Sequence, residues 1–183
     1  MIITISGFPG SGKSTVAKIL AERLGFRRYY AGQVRREAAK KRGLTLDEFN
    51  RLGEKDISTD KLVDDVLSEL GKKEDNIVVE GRTAFHFIPK SVKIFLDVRL
   101  EEGARRIFEE KRRSNKRNEK PTASVEEELK ILKERMRSDT KRYKKYYGID
   151  CFDKKNYDLV IDTSGIPAEN VVEKILGFLR KKG

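Results

Sequence analysis

Short apolar runs rich in β-branched residues alternate along the chain with longer segments in which apolar residues recur every three or four positions. The short runs predict strands at residues 2–6, 28–31, 77–80, 92–97 and 159–162. The longer segments predict helices at residues 13–24, 33–42, 46–52, 59–70, 101–113, 124–147 and 168–181. This alternation is typical of βαβ units. The pattern therefore predicts an α/β fold with a parallel five-stranded sheet flanked by helices.

Length and composition narrow the class of protein. The 183 residues suit one domain, and 39% charged against 37% hydrophobic residues describes a soluble chain. No apolar window reaches the ~20 residues of a membrane span, and residues 1–5 are too short for a signal peptide. We expect a cytoplasmic protein with no membrane partner. The single Cys151 and single His86 exclude a disulfide framework and multi-cysteine or two-histidine metal sites, and we interpret His86 as a packing or pocket-wall residue.

The positive charge is concentrated in one region. The chain carries a formal charge of +11, and residues 105–145 contain sixteen Lys and Arg against eight Asp and Glu. Within this region, residues 111–121 are polar and end in a proline, which predicts a surface loop between two helices. We expect this region to contact an anion, either a small phosphorylated ligand or, as an alternative, RNA.

A phosphate-binding motif follows the first predicted strand directly. Residues 7–14 fit G-x-x-x-x-G-K-[ST], and the motif leads into an amphipathic helix. Its glycines let backbone N–H groups surround a phosphate, Lys13 supplies positive charge to the β- and γ-phosphates, and the Ser14 hydroxyl can ligate Mg²⁺. The predicted ATP site therefore comprises Gly7, Phe8, Pro9, Gly10, Ser11, Gly12, Lys13, Ser14 and Thr15.

The remaining sequence favours a small kinase among the proteins that use this motif. The guanine-reading N-K-x-D segment of switch GTPases is absent, and large motor NTPases need a longer chain. Phosphoryl transfer depends on positioning and charge neutralisation, so a kinase needs arginines near the phosphates. Arg36 and Arg82 each follow a predicted strand at the same sheet edge as the motif, and both can reach one acceptor phosphate. Arg112 and Arg113, beside the basic loop, can close over ATP.

Two further groups are candidates on pattern alone. Arg135, Asp139 and Arg142 are spaced i, i+4 and i+7, which places them on one helix face, either as an active-site face or as a solvated ion-pair ladder. Glu80 and Asp97 each end a predicted strand and could supply the carboxylate partner of Ser14. We favour Glu80, acting through a water on Mg²⁺, because it directly precedes Gly81 and Arg82.

These residues resemble the archaeal-type cytidylate kinases, a family of nucleoside monophosphate (NMP) kinases. The resemblance covers nearly the whole chain and rests on the opening strand and phosphate loop, Ala31-Gly32 before Arg36-Glu37, residues 42–49, Glu80-Gly81-Arg82, residues 94–97, residues 141–143 with 147–150, and residues 157–164. It implies Mg²⁺-dependent transfer of phosphate from ATP to CMP or dCMP. It also implies a core (residues 1–31, 75–110 and 123–183), an NMP-binding region (32–74) and a lid (111–122), which we expect to form a monomer.

The resemblance also assigns roles. Arg36 and Arg82 match the family's acceptor-phosphate arginines, and Arg135-x-x-x-Asp139-x-x-Arg142 is similar to a helix whose arginines face the phosphates and whose aspartate faces the nucleoside. We therefore predict Lys13, Arg82, Arg135 and Arg142 as catalytic residues, and we place Arg36, Arg82, Arg135, Asp139 and Arg142 in the acceptor site.

Several positions around the expected acceptor base depart from the family pattern. Tyr30 stands where serine is expected, Gln33 replaces an acidic residue and Arg35 replaces an aromatic residue. Residues 83–87, which include His86, lack the Gly-Trp type residues of the family. The base therefore stays open among cytosine, adenine and uracil, and an RNA or another small phosphate acceptor remains the alternative substrate.

Overall fold

Five parallel strands form a single sheet at the centre of the molecule. The structure is a computed structural model that describes residues 1–114 and 119–182. The strands are β1 (Ile2–Gly7), β2 (Arg27–Tyr30), β3 (Ile77–Glu80), β4 (Val92–Asp97) and β5 (Leu159–Asp162), and their order across the sheet is β2-β3-β1-β4-β5. Because β1 is the central strand, the loop that follows it emerges in the middle of the carboxyl edge, where ligands bind in open parallel sheets.

Helices cover both faces of the sheet. They are α1 (Lys13–Leu24), α2 (Ala31–Lys41), α3 (Leu46–Gly53), α4 (Ser58–Lys73), α5 (Ala84–Phe87), α6 (Leu100–Arg113), α7 (Val125–Tyr147) and α8 (Ala168–Lys182). A single 3₁₀ turn spans Lys154–Asn156. Among residues 1–114 and 119–182, no helix is both long and apolar enough to span a bilayer.

The core has two main layers, one on each face of the sheet. On one face, α1 and α8 pack against β1 and β4 through buried aliphatic side chains such as Leu20 and Ile175. On the other face, α4 and α5 pack against β3 through Leu67 and Ala84. The three central strands β1, β3 and β4 are mainly apolar because both faces of the sheet are covered there, as expected for a parallel sheet.

The predicted fold class is confirmed, with small differences in the elements. Ala31 begins α2 and does not end β2, because the chain turns directly from the strand into the helix. The short α5 was not predicted, since four residues carry too little periodicity to identify a helix. Helices α3 and α4 lie within the predicted NMP-binding region, and α2 begins one residue before it. Residues 115–118 of the predicted lid lie outside the described residues, and the division into core, NMP-binding region and lid stays a prediction.

Candidate active site

One continuous cavity runs from the phosphate loop to the helices of the predicted NMP-binding region. Its volume is about 1060 Å³, larger than the ~300–1,000 Å³ typical of a pocket for one small molecule. Residues 9, 10 and 12–15 line one end, and residues of α2, α3 and α4 line the other. Arg36, Arg82 and Arg135 lie along its wall. The cavity therefore brings the predicted phosphate loop and three of the predicted arginines into one space.

The phosphate loop has the backbone that its glycines predict. Gly7, Gly10 and Gly12 adopt φ angles of +144°, +77° and +82°, in which a larger residue is strained. At Gly10 there is also no room, since an added Cβ would lie 2.3 Å from the Gly103 carbonyl oxygen on α6. Lys13 Nζ donates to the carbonyl oxygens of Gly7 (3.0 Å) and Phe8 (2.7 Å), so the ammonium group lies within the loop.

Residues around the loop hold it in place. The Phe8 ring packs against Phe95 and Phe152, with ring centroids 5.3 Å away in each case. The Thr163 hydroxyl donates to the Ser11 carbonyl oxygen over 3.1 Å. Phe8 and Ser11 therefore anchor the loop, whereas Pro9, Gly10, Gly12, Lys13, Ser14 and Thr15 line the cavity.

Ser14 and Glu80 meet at the floor of the cavity. The Ser14 hydroxyl donates to Glu80 Oε1 over 2.7 Å, and Arg28 Nη2 donates to Glu80 Oε2 over 3.0 Å. Asp97 lies elsewhere, with its carboxylate bonded to Lys154 and to the N–H of Val98. Of the two candidate carboxylates, Glu80 is thus the one beside Ser14.

The hydroxyl of Ser14 and the carboxylate of Glu80 fit a magnesium ion. Both are oxygen donors of the kind Mg²⁺ prefers, and both line the cavity at the end where the phosphate loop lies. In the part of the chain that the structure describes, no group of three or more acidic, histidine or cysteine side chains could hold a metal alone. Mg²⁺ is usually held by one or two protein groups together with waters and substrate phosphates, so Ser14 and Glu80 would suffice as its protein partners.

Arg36 and Arg135 lie around one buried carboxylate. Arg135 Nη1 donates to Glu119 Oε1 over 3.0 Å, and Arg36 Nη2 lies 3.8 Å from the same oxygen. Arg135 Nη2 also donates to Asp47 Oδ1, and Arg36 contacts the Tyr30 hydroxyl. Burial lowers the pKa of the Arg135 guanidinium, but the Glu119 and Asp47 carboxylates outweigh it and raise that pKa. Two guanidinium groups therefore lie beside the same carboxylate oxygen in the cavity wall.

A series of buried ion pairs connects α7 with α4 and α2. Arg82 pairs with Asp139, Asp139 with Arg142, Arg142 with Asp60, and Asp60 with Arg35. Burial raises the pKa of the Asp139 carboxyl, but Arg82 and Arg142 outweigh burial and hold it below its usual value. Asp139 therefore stays ionised and orients Arg82 within the cavity wall.

Arg142 lies apart from the other predicted arginines of the cavity wall. Its guanidinium is fully buried between Asp60 and Asp139 and does not line the cavity. The i, i+4, i+7 spacing places Arg142 on the same helix face as Arg135, but α4 packs over this part of α7 and supplies Asp60 as partner. Arg142 thus contacts the cavity wall only through Asp139 and Asp60, and its predicted contact with a phosphate stays a prediction. Asp139 lines the cavity, but both its oxygens are bonded to arginines.

The sequence of the chain matches a known family. The sequence model of the cytidylate kinase-like family matches residues 2–165. The chain belongs to that family. It is 40% identical to a cytidylate kinase of Archaeoglobus fulgidus over 183 residues, covering 100% of this chain and 96% of the relative. It is 44% identical to a cytidylate kinase of Methanocella arvoryzae over 171 residues, covering 93% and 92%.

Solved structures share the fold of this cytidylate kinase-like protein. The shikimate kinase of Bacteroides thetaiotaomicron has a TM-score of 0.66 at 17% identity and covers 98% of both chains. The shikimate kinase of Acinetobacter baumannii, in complex with shikimate, has a TM-score of 0.65 at 20% identity and covers 99% of this chain and 93% of its own. At these identities the likeness concerns the fold.

Arg106 lines the cavity but was not predicted from the sequence. Its Nη2 donates to the Thr163 carbonyl oxygen over 2.8 Å. No local pattern indicates this contact, because Thr163 is far away in the chain. Arg112 and Arg113 occupy the last turn of the same helix and do not line the cavity, and Arg112 lies over the Phe108 ring. Their predicted contact with ATP stays a prediction.

Asp64 is a second residue that sequence reasoning missed. It lies in α4, lines the cavity, and accepts hydrogen bonds from the Thr83 and Tyr147 hydroxyls. Burial raises the pKa of the Asp64 carboxyl to about 6, although those hydrogen bonds oppose the rise. Acidic residues at helix positions are usually solvated, so the sequence offered no signal for this one.

Proposed function

We propose that the chain transfers the γ-phosphate of ATP to CMP or dCMP. The observation that carries this proposal is the single cavity that joins the phosphate loop to the arginine-lined NMP-binding end. A kinase of this kind holds two nucleotides with their phosphates adjacent, which converts a bimolecular reaction into a reaction between bound groups. Family membership supports the kinase class, and the names of the archaeal relatives support cytidine nucleotides as acceptors.

The chain's own residues supply positioning and charge. The phosphate loop and Lys13 hold the triphosphate of ATP, while Arg36 and Arg135 hold the phosphate of the acceptor. An acceptor oxygen attacks the γ-phosphorus as the bond to the β,γ-bridging oxygen breaks, so that ADP leaves. Arg82, oriented by Asp139, stabilises the negative charge that spreads over the transferring group. This chemistry needs no dedicated covalent intermediate on the protein.

Ser14 and Glu80 would hold magnesium in this reaction, Glu80 through a water. The ion, when bound with ATP, neutralises charge on the β- and γ-phosphates. The short contact between Ser14 and Glu80 keeps the hydroxyl and carboxylate together at the loop before the nucleotide arrives.

Release of ADP from Mg-ATP tests the function. The assay compares CMP, dCMP, UMP, AMP, GMP and a short RNA as acceptors, each with product analysis to show the new phosphoanhydride or phosphoester. We expect turnover with CMP and dCMP to exceed turnover with the other acceptors. Turnover with RNA alone, together with RNA binding that weakens steeply with salt, would assign the protein to polynucleotide chemistry instead. ADP release equal with and without any acceptor would contradict a transfer function.

A further inference from the structure

Tyr30, the last residue of β2, lies in the cavity wall beside Arg36. Arg36 Nη1 donates a hydrogen bond to the Tyr30 hydroxyl, and the guanidinium carbon of Arg36 lies 5.5 Å from the centroid of the Tyr30 ring. An arginine side chain is long and can adopt many rotamers, so a fixed acceptor for one of its nitrogens restricts where its head group points. The Tyr30 hydroxyl therefore helps to set the direction of the Arg36 guanidinium in the cavity wall.

The Tyr30 ring is itself held by a neighbouring side chain. Because side chains alternate along a strand, Arg28 and Tyr30 lie on one face of β2 and Tyr29 lies on the other. The guanidinium carbon of Arg28 lies 5.3 Å from the Tyr30 ring centroid, and Arg28 Nη2 donates to Glu80 Oε2 over 3.0 Å. The ring that carries the hydroxyl thus contacts an arginine that is fixed in turn by Glu80.

Gly32 leaves the space in which the tyrosine ring and the guanidinium meet. A Cβ added at Gly32 would lie 2.5 Å from Tyr30 Cε2 and 3.1 Å from Arg36 Nη1. Gly32 is part of α2, where alanine would be the better helix former. The close approach of these two side chains therefore gives a physical reason for glycine at this position.

We propose that Tyr30 is a positioning residue that orients Arg36 toward the phosphate of the acceptor nucleotide. The inference rests on the proposed function, in which Arg36 holds that phosphate, and it adds the residue through which this chain directs the guanidinium. The family pattern has serine at position 30. Serine would carry its hydroxyl close to the backbone, whereas the Tyr30 ring carries the hydroxyl out to Arg36.

Equilibrium dialysis with CMP and with cytidine tests the proposal, because these ligands differ only in the phosphate. Tyr30→Phe keeps the ring over which Arg28 lies and removes only the hydroxyl. We expect the affinity for CMP to fall about 10-fold and the affinity for cytidine to stay at its native value. An unchanged affinity for CMP, or an equal loss for CMP and cytidine, would overturn the proposal.

Tyr29→Phe is the matched control on the same strand. The Tyr29 hydroxyl is buried and has no hydrogen-bond partner within residues 1–114 and 119–182. Its removal should leave the affinities for both CMP and cytidine unchanged. In turnover assays we expect Tyr30→Phe to raise KM for CMP about 10-fold while KM for ATP and kcat stay near their native values, since a phosphate held equally in the ground and transition states affects KM alone. A lower kcat with an unchanged KM for CMP would contradict a role in holding the acceptor.

A double-mutant cycle shows whether the hydroxyl acts through Arg36. In Arg36→Met there is no guanidinium to orient, so adding Tyr30→Phe should change the affinity for CMP by less than about 2-fold. The same fall of about 10-fold in both the native and the Arg36→Met background would show that Tyr30 acts independently of Arg36, which would overturn the proposal.

Gly32→Ala tests the same arrangement from the helix side, and the helix propensity of alanine favours its folding. Because the new Cβ would overlap the Tyr30 ring, we expect the affinity for CMP to fall about 10-fold in the native background. In Tyr30→Ser, which has no ring to displace, Gly32→Ala should change that affinity by less than about 2-fold. An equal fall in both backgrounds would mean that the methyl group acts without the ring, and this would count against the proposal.

Binding separates failure of this inference from failure of the proposed function. If the native chain transfers phosphate to no nucleotide, the proposed function is wrong, and the dialysis experiment still tests phosphate binding. Tighter binding of CMP than of cytidine that is lost in Tyr30→Phe supports the role of Tyr30. Equal binding of CMP and cytidine by the native chain overturns it.

Discussion

The buried carboxyl of Asp64 gives a stability prediction whose sign and size follow from the structure. Its pKa is raised from 3.8 to about 6, mainly because burial disfavours the charged form. Below pH 3.8 the carboxyl is neutral in both the folded and the unfolded chain. As pH rises, the unfolded chain ionises first, so this group lowers the free energy of unfolding until pH passes about 6.

The size of the effect follows from the two pKa values. A difference of about two units corresponds to about 3 kcal/mol in total. About 2 kcal/mol of this falls between pH 4.5 and pH 7.5, since the unfolded chain is already largely ionised at pH 4.5. The substitution Asp64→Asn removes the titrating proton while keeping one acceptor for the Thr83 and Tyr147 hydroxyls.

Urea unfolding at a series of pH values measures this contribution. We expect the free energy of unfolding of Asp64→Asn to gain about 2 kcal/mol relative to the native chain between pH 4.5 and pH 7.5. Asp65→Asn, which changes an exposed carboxylate on the same helix, should show no such gain. A constant difference between Asp64→Asn and the native chain across this range would refute the reasoning.

Four other substitutions test the phosphate loop and the buried ion pairs. Lys13→Ala should abolish phosphoryl transfer without lowering the melting temperature, and retained turnover would contradict the assigned loop. Arg142→Met should lower the free energy of unfolding by about 3–5 kcal/mol in urea titrations, because two buried carboxylates lose a partner. A loss below about 1 kcal/mol would argue against these buried ion pairs. Gly12→Ala should lower the free energy of unfolding by about 1–2 kcal/mol, because residue 12 has a positive φ. Gly10→Ala should in addition raise KM for ATP, because its Cβ would contact Gly103. Equal KM values for ATP in Gly10→Ala and Gly12→Ala would count against this packing argument.

Features coded by neighbouring residues were predictable from the sequence. The phosphate loop is eight consecutive residues between a strand and a helix, and its function depends on local backbone geometry. The capping box of Thr45 and Glu48 is equally local, and both of its hydrogen bonds form at the start of α3. Strand and helix alternation predicted the parallel sheet, because covering both faces of a sheet requires apolar strands and amphipathic helices.

Features that depend on the packing of distant elements were not predictable. Helical spacing placed Arg135 and Arg142 on one face of α7, but it could not show that α4 covers Arg142 and supplies Asp60. The contact of Arg106 with the backbone after β5 likewise requires the folded arrangement. Arg35 was recognised in the sequence as a departure from the family pattern, and the structure then showed which of its atoms lack partners.

Binding of a bisubstrate compound tests the central claim most directly. The compound joins adenosine and cytidine through five phosphates, and isothermal titration measures its stoichiometry and its competition with ATP and CMP. If one cavity holds both nucleotides with their phosphates adjacent, one molecule binds per chain and displaces ATP and CMP together. Binding of two molecules per chain, or displacement of ATP while CMP stays bound, would show that the two nucleotides do not share this cavity.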